Sequence, residues 1–110
     1  MKRTLNREYQ FRRVFRTGSR FRGNTFRAVF RVNTLGFIRL GFSLSAKRGN
    51  AVSRNLMKRR IRALASKQDL GADVVIMPVG RLDGLRWEGV RDDFLELMEK
   101  IGNSVEEDRT

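Results

Sequence analysis

The 110-residue sequence contains neither cysteine nor histidine. Without cysteine the chain cannot form disulfides, thiolate metal sites or a thiol nucleophile. Without histidine it lacks the commonest metal ligand and the usual general base of enzymes. No apolar run approaches the roughly 20 residues that a membrane-spanning helix needs, and no apolar region follows the basic N-terminus as it would in a secretory signal. We therefore expect a soluble, cytoplasmic protein without a membrane partner.

Acidic residues are scarce in the first part of the chain. Residues 1–62 contain 18 lysines and arginines but one acid, Glu8, whereas residues 63–110 contain 6 basic and 11 acidic residues. A surface that served solubility alone would mix both signs along the chain. The net charge of +12 and its concentration in one part of the chain therefore indicate a polyanionic partner, and they favour nucleic acid.

Hydrophobic periodicity predicts one α+β domain, a two-layer arrangement with helices on the apolar face of a small, mostly antiparallel sheet. The predicted elements are a helix over 5–18 that stops at Gly18, a connector or edge strand over 19–24, strands over 25–33 and 37–47, a helix over 53–68 capped by Ser53, a buried strand over 72–79 and a helix over 87–101. A hairpin turn at Gly36 would join the strands over 25–33 and 37–47. The domain is expected to span residues 1–102, and residues 103–110 to form an acidic, frayed tail.

The strand over 25–33 alternates between apolar residues and a second, open face that carries Arg27, Val29 and Arg31. In the helix over 53–68, steps of about 100° per residue separate two sides. Its core side carries Met57, Ile61, Leu64 and Gln68, and its cationic side carries Arg54, Asn55, Lys58, Arg59 and Arg62. Like charges one turn apart destabilise a free helix, and bound phosphate would offset that repulsion. A solvated basic face without a partner is the alternative, which the basic character of the whole first half disfavours.

Phe11 and Phe15 lie one turn apart in the first predicted helix and allow two interpretations. They are either core residues or a platform on which bases of a single-stranded nucleic acid stack. Spacing alone favours the core, whereas the neighbouring Arg12, Arg13 and Arg16 favour a combination of base stacking and backbone charge.

The segment GNAVSRNLMKRRIR, residues 49–62, resembles the protein subunit of bacterial ribonuclease P, in which a GNAV-type loop precedes a helix of the form RNxxKRxxR. The matching residues are Gly49, Asn50, Ala51, Val52, Arg54, Asn55, Lys58, Arg59 and Arg62. The family's first helix has the form LxxxxxFxxVFxxG, which Leu5, Phe11, Val14, Phe15 and Gly18 fit. RLGFSLSAK and ADVVIMPV are similar to two of its strands, so that the resemblance covers about residues 3–100. Two positions depart from the pattern: Leu56 replaces a basic residue, and Val29 stands where many relatives carry an aromatic residue.

The resemblance implies a role in removing the 5′ leader from precursor tRNA by hydrolysis of one phosphodiester bond. It implies that a catalytic RNA subunit with bound Mg²⁺ performs the chemistry, and that the protein supplies no catalytic residue and holds no metal by itself. The cationic helix, with Gly49 and Asn50 in the loop before it, would bind the RNA subunit. Phe11, Phe15, Arg27 and Val29 would line a cleft for the single-stranded leader. The implied fold has the order αβββαβα, with a left-handed βαβ crossover against the usual rule.

Two other functions compete with this interpretation. A ribosomal or other structural RNA-binding protein would share the size and charge, but would not need paired phenylalanines beside an open sheet face. A protein-only nuclease would need clustered carboxylates for metal-dependent hydrolysis. The candidate aspartates lie in the C-terminal half without a tight motif: Asp69, Asp73, Asp83, Asp92 and Asp93. No feature of the sequence points to an obligate protein partner.

Overall fold

A computed structural model describes residues 3–109 and has the predicted α+β order αβββαβα. The elements are α1 (Glu8–Thr17), β1 (Ser19–Arg22), β2 (Phe26–Val32), β3 (Ile38–Phe42), a short 3₁₀ turn (Ala46–Arg48), α2 (Ala51–Ala65), β4 (Ala72–Pro78) and α3 (Trp87–Arg109). The segment predicted as a connector or edge strand is the edge strand β1.

The four strands lie in the order β1-β2-β4-β3. β2 is antiparallel to both β1 and β4, whereas β3 is parallel to β4. The predicted hairpin between β2 and β3 is therefore wrong, because β4 lies between them. The apolar run of β4 is buried along both faces, which suits a central strand. The parallel β3–α2–β4 crossover agrees with the family resemblance, and its left-handedness stays a prediction.

One face of the sheet packs against α2 and α3 and forms the main core. The predicted core side of α2 is confirmed at Met57 and Ile61, which are buried, and α3 buries Val90, Phe94 and Leu97 against the same core. Gln68 lies beyond the end of α2 and does not belong to its core side. The largest fully buried side chains from the sheet are Phe26, Phe30, Ile38, Leu40, Ile76 and Val74.

Helix α1 lies on the opposite face of the sheet, not on the main core. Its Val14 packs with Leu5, Val29 and Val75 in a second, smaller core. The N–H of Leu5 donates to the carbonyl of Leu40 (2.8 Å), so that the segment before α1 pairs with the edge of β3 and is not helical. The predicted start at residue 5 is thus too early. The helix ends at Gly18 as predicted, where the backbone becomes extended and the Gly18 N–H donates to the carbonyl of Val14. A Cβ at this position would lie 2.5 Å from that carbonyl oxygen, so the site requires glycine.

Helix α2 begins two residues earlier than predicted and is capped by Asn50, not by Ser53. The side-chain oxygen of Asn50 accepts a hydrogen bond from the backbone N–H of Ser53 (2.8 Å). Gly49 is buried against Leu82, whose N–H donates to the carbonyl of Arg48 (2.6 Å). These contacts fix the loop that places the basic helix on the sheet. The helix ends at Ala65, three residues before the predicted end.

Helix α3 continues to Arg109, so residues 103–109 are helical where the sequence predicted a frayed tail. Thr110 lies outside the described residues. In the second turn of α3, the buried carboxylate of Asp93 accepts hydrogen bonds from the N–H groups of Asn24 (3.2 Å) and Thr25 (2.6 Å) and from the Thr25 hydroxyl. It thereby ties the β1–β2 turn to α3. Within residues 3–109, no helix is both long and apolar enough to cross a membrane.

Candidate nucleic-acid interface

The cationic face of α2, which we define as Arg54, Asn55, Lys58, Arg59 and Arg62, lies on one side of the helix beside its core stripe. Asn55, Arg59 and Arg62 are exposed, and Arg54 and Lys58 are half-buried. Within the described part of the chain, none of the four cations forms a salt bridge. The Nε atom of Arg54 is buried without a hydrogen-bond partner. Four uncompensated charges within three turns repel one another, so that an anionic ligand would stabilise this face.

Two arginines of α2 are held by aromatic rings. The guanidinium of Arg62 lies 5.6 Å from the ring centre of Phe42, and that of Arg60 lies 4.5 Å from the ring centre of Trp87. Arg60 falls outside the cationic face and is turned toward α3. The sequence alone did not assign Arg60 to this contact. The available signal was Leu64, which lies one turn later on the same side of the helix, at the boundary with α3.

The residues predicted to line a cleft lie on α1 and on the sheet face beneath it, and they differ in exposure. Val29 is buried under α1 with 3% of its surface exposed, so it does not lie on an open face. Phe11 is half-buried and packs over Gly41, where a Cβ would come within 2.7 Å of its ring. Phe15 is 42% exposed, and Arg27 is exposed on β2. Phe15, rather than Phe11, is therefore the more accessible aromatic side chain.

A partly buried ion pair lies at the other end of this sheet face. Arg39 on β3 donates to both carboxylate oxygens of Asp73 on β4, at 2.8 and 2.7 Å, and the amide of Asn33 donates to the same carboxylate (2.8 Å). The hydrogen bond to Asp73 raises the pKa of Arg39 above its ordinary value, against the effect of burial. Sequence reasoning missed this pair, because only the parallel β3–β4 register brings positions 39 and 73 together.

The carboxylates of residues 3–109 are dispersed. Within residues 3–109, no three carboxylates lie close enough together to hold a metal ion. The two buried aspartates are already engaged, Asp73 by Arg39 and Asp93 by the β1–β2 turn.

A family model described as Ribonuclease P matches residues 1–102. The chain belongs to this family. Among its relatives are proteins named Ribonuclease P protein component from Natranaerobius thermophilus, with 34% identity over 88% of this chain and 88% of the relative, and from Finegoldia magna, with 33% identity over 89% and 88%. The predicted resemblance is thus confirmed across nearly the whole chain.

Solved structures of the ribonuclease P family share the fold. The RNase P protein from Thermotoga maritima superposes with a TM-score of 0.75 at 27% identity, covering 88% of this chain and 96% of that one. The Staphylococcus aureus RNase P protein gives 0.75 at 25% identity, covering 93% and 96%. As a member of this family, the chain binds RNA and takes part in tRNA processing, within an endoribonuclease complex in which its partner is the ribonuclease P RNA. A ribosomal or other structural role is not favoured.

Replacing Lys58 or Arg59 with alanine is expected to weaken binding of the RNA subunit of ribonuclease P. Each loss of a phosphate contact should also reduce the salt dependence of binding by about one charge unit. The measurement is the affinity at several salt concentrations. Arg86→Ala, which removes an exposed arginine outside α2, is the control. Equal losses in all three variants would show that only the total charge matters.

Proposed function

We propose that this chain holds the single-stranded 5′ leader of precursor tRNA in the groove between α1 and the exposed part of the sheet face. The cationic face of α2 meanwhile binds the RNA subunit. The exposure of Phe15 at 42%, on a helix whose Phe11 is half-buried and whose Val14 is buried, is the observation that carries the proposal. A helix that served only to cover the sheet would gain stability by burying this ring.

The surroundings of Phe15 support a single-stranded ligand. Arg16 is exposed beside it, and neither Arg16 nor Arg27 forms a salt bridge within residues 3–109. Arg12, in contrast, is paired with Glu8 (2.8 Å). An exposed ring for stacking and free guanidinium groups for the backbone are the elements of a site that binds single strands with little sequence preference.

The chemistry belongs, in this proposal, to the RNA subunit and to Mg²⁺ ions that the RNA holds. The chain has no histidine or cysteine, and its described carboxylates form no metal-binding cluster. The protein instead contributes affinity for the leader and neutralises phosphate charge. A cytoplasmic location, where precursor tRNA would be met, completes the proposal.

Phe15→Ala tests the leader site. The variant is expected to fold and to bind the RNA subunit normally, while the holoenzyme loses about 1–3 kcal/mol of affinity for a precursor with a leader. Its affinity for mature tRNA, which has no leader, should not change. Phe11→Ala is the matched aromatic control, and it should lower the free energy of unfolding by about 2 kcal/mol because its half-buried ring packs over Gly41. Affinities for both tRNAs and thermal melts are the measurements.

An equal loss of affinity for precursor and mature tRNA in Phe15→Ala would contradict a leader-specific contact. A large drop in melting temperature without a leader-specific loss would instead assign Phe15 to packing, and the groove would then have no aromatic platform.

A further inference from the structure

The two edges of the sheet are protected in different ways. The strand order places β1 at one edge and β3 at the other. At β3, the N–H of Leu40 donates to the carbonyl of Arg3 (2.9 Å), and the N–H of Leu5 donates to the carbonyl of Leu40 (2.8 Å), so that residues 3–5 cover this edge. Among the described residues, no backbone segment pairs with the outer side of β1. An open edge of this kind is a template for another chain.

The register of β1 shows which of its backbone groups face outward. The N–H of Gly23, directly after β1, donates to the carbonyl of Phe26 on β2 (2.9 Å). Hydrogen-bonded pairs alternate along an antiparallel ladder, so Phe21 is bonded to β2 and its two neighbours are not. The N–H and carbonyl groups of Arg20 and Arg22 therefore point away from the sheet.

Helix α3 runs beside this edge without covering it. A groove of about 470 Å³ separates β1 from the helix, and it leaves space next to the outward backbone groups. The residues that line the groove come from β1 and from one side of α3: Phe21, Arg22, Glu96, Glu99, Lys100 and Asn103. Another strand that entered this space would find unused donors and acceptors on β1.

Lys100 occupies one of these outward groups. Its ammonium donates a hydrogen bond to the backbone carbonyl of Arg20. Glu96, one turn earlier on α3, and Glu99 line the same groove, yet Lys100 forms no salt bridge with any described carboxylate. The ammonium thus lies on a neutral carbonyl although acidic side chains are near. An added strand would need that carbonyl, so Lys100 would have to be displaced first.

We propose that Lys100 closes the β1 edge against strand addition by a second copy of this chain. Two β1 strands are complementary to each other around a two-fold axis at Phe21, because antiparallel pairing brings Arg20 of one copy opposite Arg22 of the other. The outward N–H and carbonyl groups of the two residues would then satisfy one another. Lys100 blocks this pairing twice, once in each copy.

The exposed side chains of Arg20 and Arg22 oppose the same pairing by a different physical effect. Like charges directly opposite each other destabilise a pair of strands. Salt screens that repulsion between exposed groups, whereas the Lys100 ammonium occupies the carbonyl that the second strand needs. The contribution of Lys100 is therefore best measured at high salt.

The test is analytical ultracentrifugation of the RNA-free, full-length chain at high salt over a wide range of concentrations. Lys100→Ala is expected to dimerise about twenty-five-fold more tightly than wild type, because each of the two copies no longer has to give up a hydrogen bond worth about fivefold. Lys100→Arg keeps a cationic donor and should sediment like wild type. Arg91→Ala, which removes an exposed cation from the same helix, is the matched control and should also sediment like wild type.

Amide hydrogen exchange then locates the contact. In wild type the outward N–H groups of Arg20 and Arg22 should exchange quickly, because they have no backbone partner. In Lys100→Ala both should become protected as the protein concentration rises, while circular dichroism verifies that every variant is folded.

Three results would overturn the inference. The first is a folded Lys100→Ala variant that sediments like wild type at every concentration. The second is a dimer in which the amides of Arg20 and Arg22 still exchange quickly, which would place the interface elsewhere. The third is equal self-association of Arg91→Ala, which would mean that only the total charge matters. Because RNA is absent from these measurements, none of the three outcomes bears on the proposed function.

Discussion

RNA-free protein is expected to leave precursor tRNA uncleaved at every Mg²⁺ concentration, whereas the protein added to its cognate RNA should lower the Mg²⁺ concentration needed for cleavage. The chain lacks histidine and cysteine, and within residues 3–109 no three carboxylates lie close enough together to hold a metal ion. Its excess of positive charge, in contrast, can reduce the repulsion between the RNA subunit and its RNA substrate.

The measurement is precursor cleavage at low and high Mg²⁺ with RNA alone, protein alone and both together. In a parallel assay, the Lys58→Ala variant replaces the wild-type protein at the same concentration, with the RNA subunit present. This comparison shows whether the basic helix α2 is responsible for the lower Mg²⁺ requirement. Robust metal-dependent cleavage by protein from which all RNA has been removed would contradict the assignment of the chemistry to RNA.

Asp93→Ala is expected to cost the largest amount of stability among single substitutions of polar residues, about 3 kcal/mol in the free energy of unfolding. The carboxylate is 3% exposed and accepts hydrogen bonds from the backbone of Asn24 and Thr25 and from the Thr25 hydroxyl. Alanine would leave these donors unsatisfied and would release the β1–β2 turn from α3.

The neighbouring Asp92 provides the matched control, because it is exposed on the same turn of α3. Asp92→Ala should change the free energy of unfolding by less than about 0.5 kcal/mol. Urea unfolding of both variants is the measurement, with the slope of the transition checked against wild type. If the two substitutions were equally harmless, the hydrogen bonds of Asp93 would not hold the turn.

The order and type of the elements followed from the sequence because each has a clear period. β2 and α3 have regular apolar periods, and Phe26, Phe30 and Phe94 on their apolar sides are buried. The order of the strands in the sheet could not be predicted in the same way. Alternation along a strand shows which face of the sheet each side chain occupies, but it does not show which strand lies next to it. The hairpin at Gly36 was therefore predicted, although β4 lies between β2 and β3.

The candidate site was predictable where one helix defines it and less so where two elements meet. The cationic face of α2 could be predicted from the helical period of 3.6 residues alone. The burial of Val29 depends on α1 crossing the second face of the sheet, and the relative exposure of Phe11 and Phe15 depends on where Gly41 lets α1 approach. The stacking of Arg3 on Phe37 needs the pairing of residues 3–5 with β3, which no local pattern encodes.

The insertion of β4 between β2 and β3 determines when this chain can fold during its synthesis. Until residues 72–78 leave the ribosome, β2 and β3 each have an inner edge whose backbone groups lack their partner strand. The nascent chain is by then already carrying all the arginines of α1 and α2. Open strand edges favour association with other chains, whereas like charges keep such chains apart. The charge that suits the mature protein to RNA would thus also keep nascent copies from pairing edge to edge before their central strand arrives.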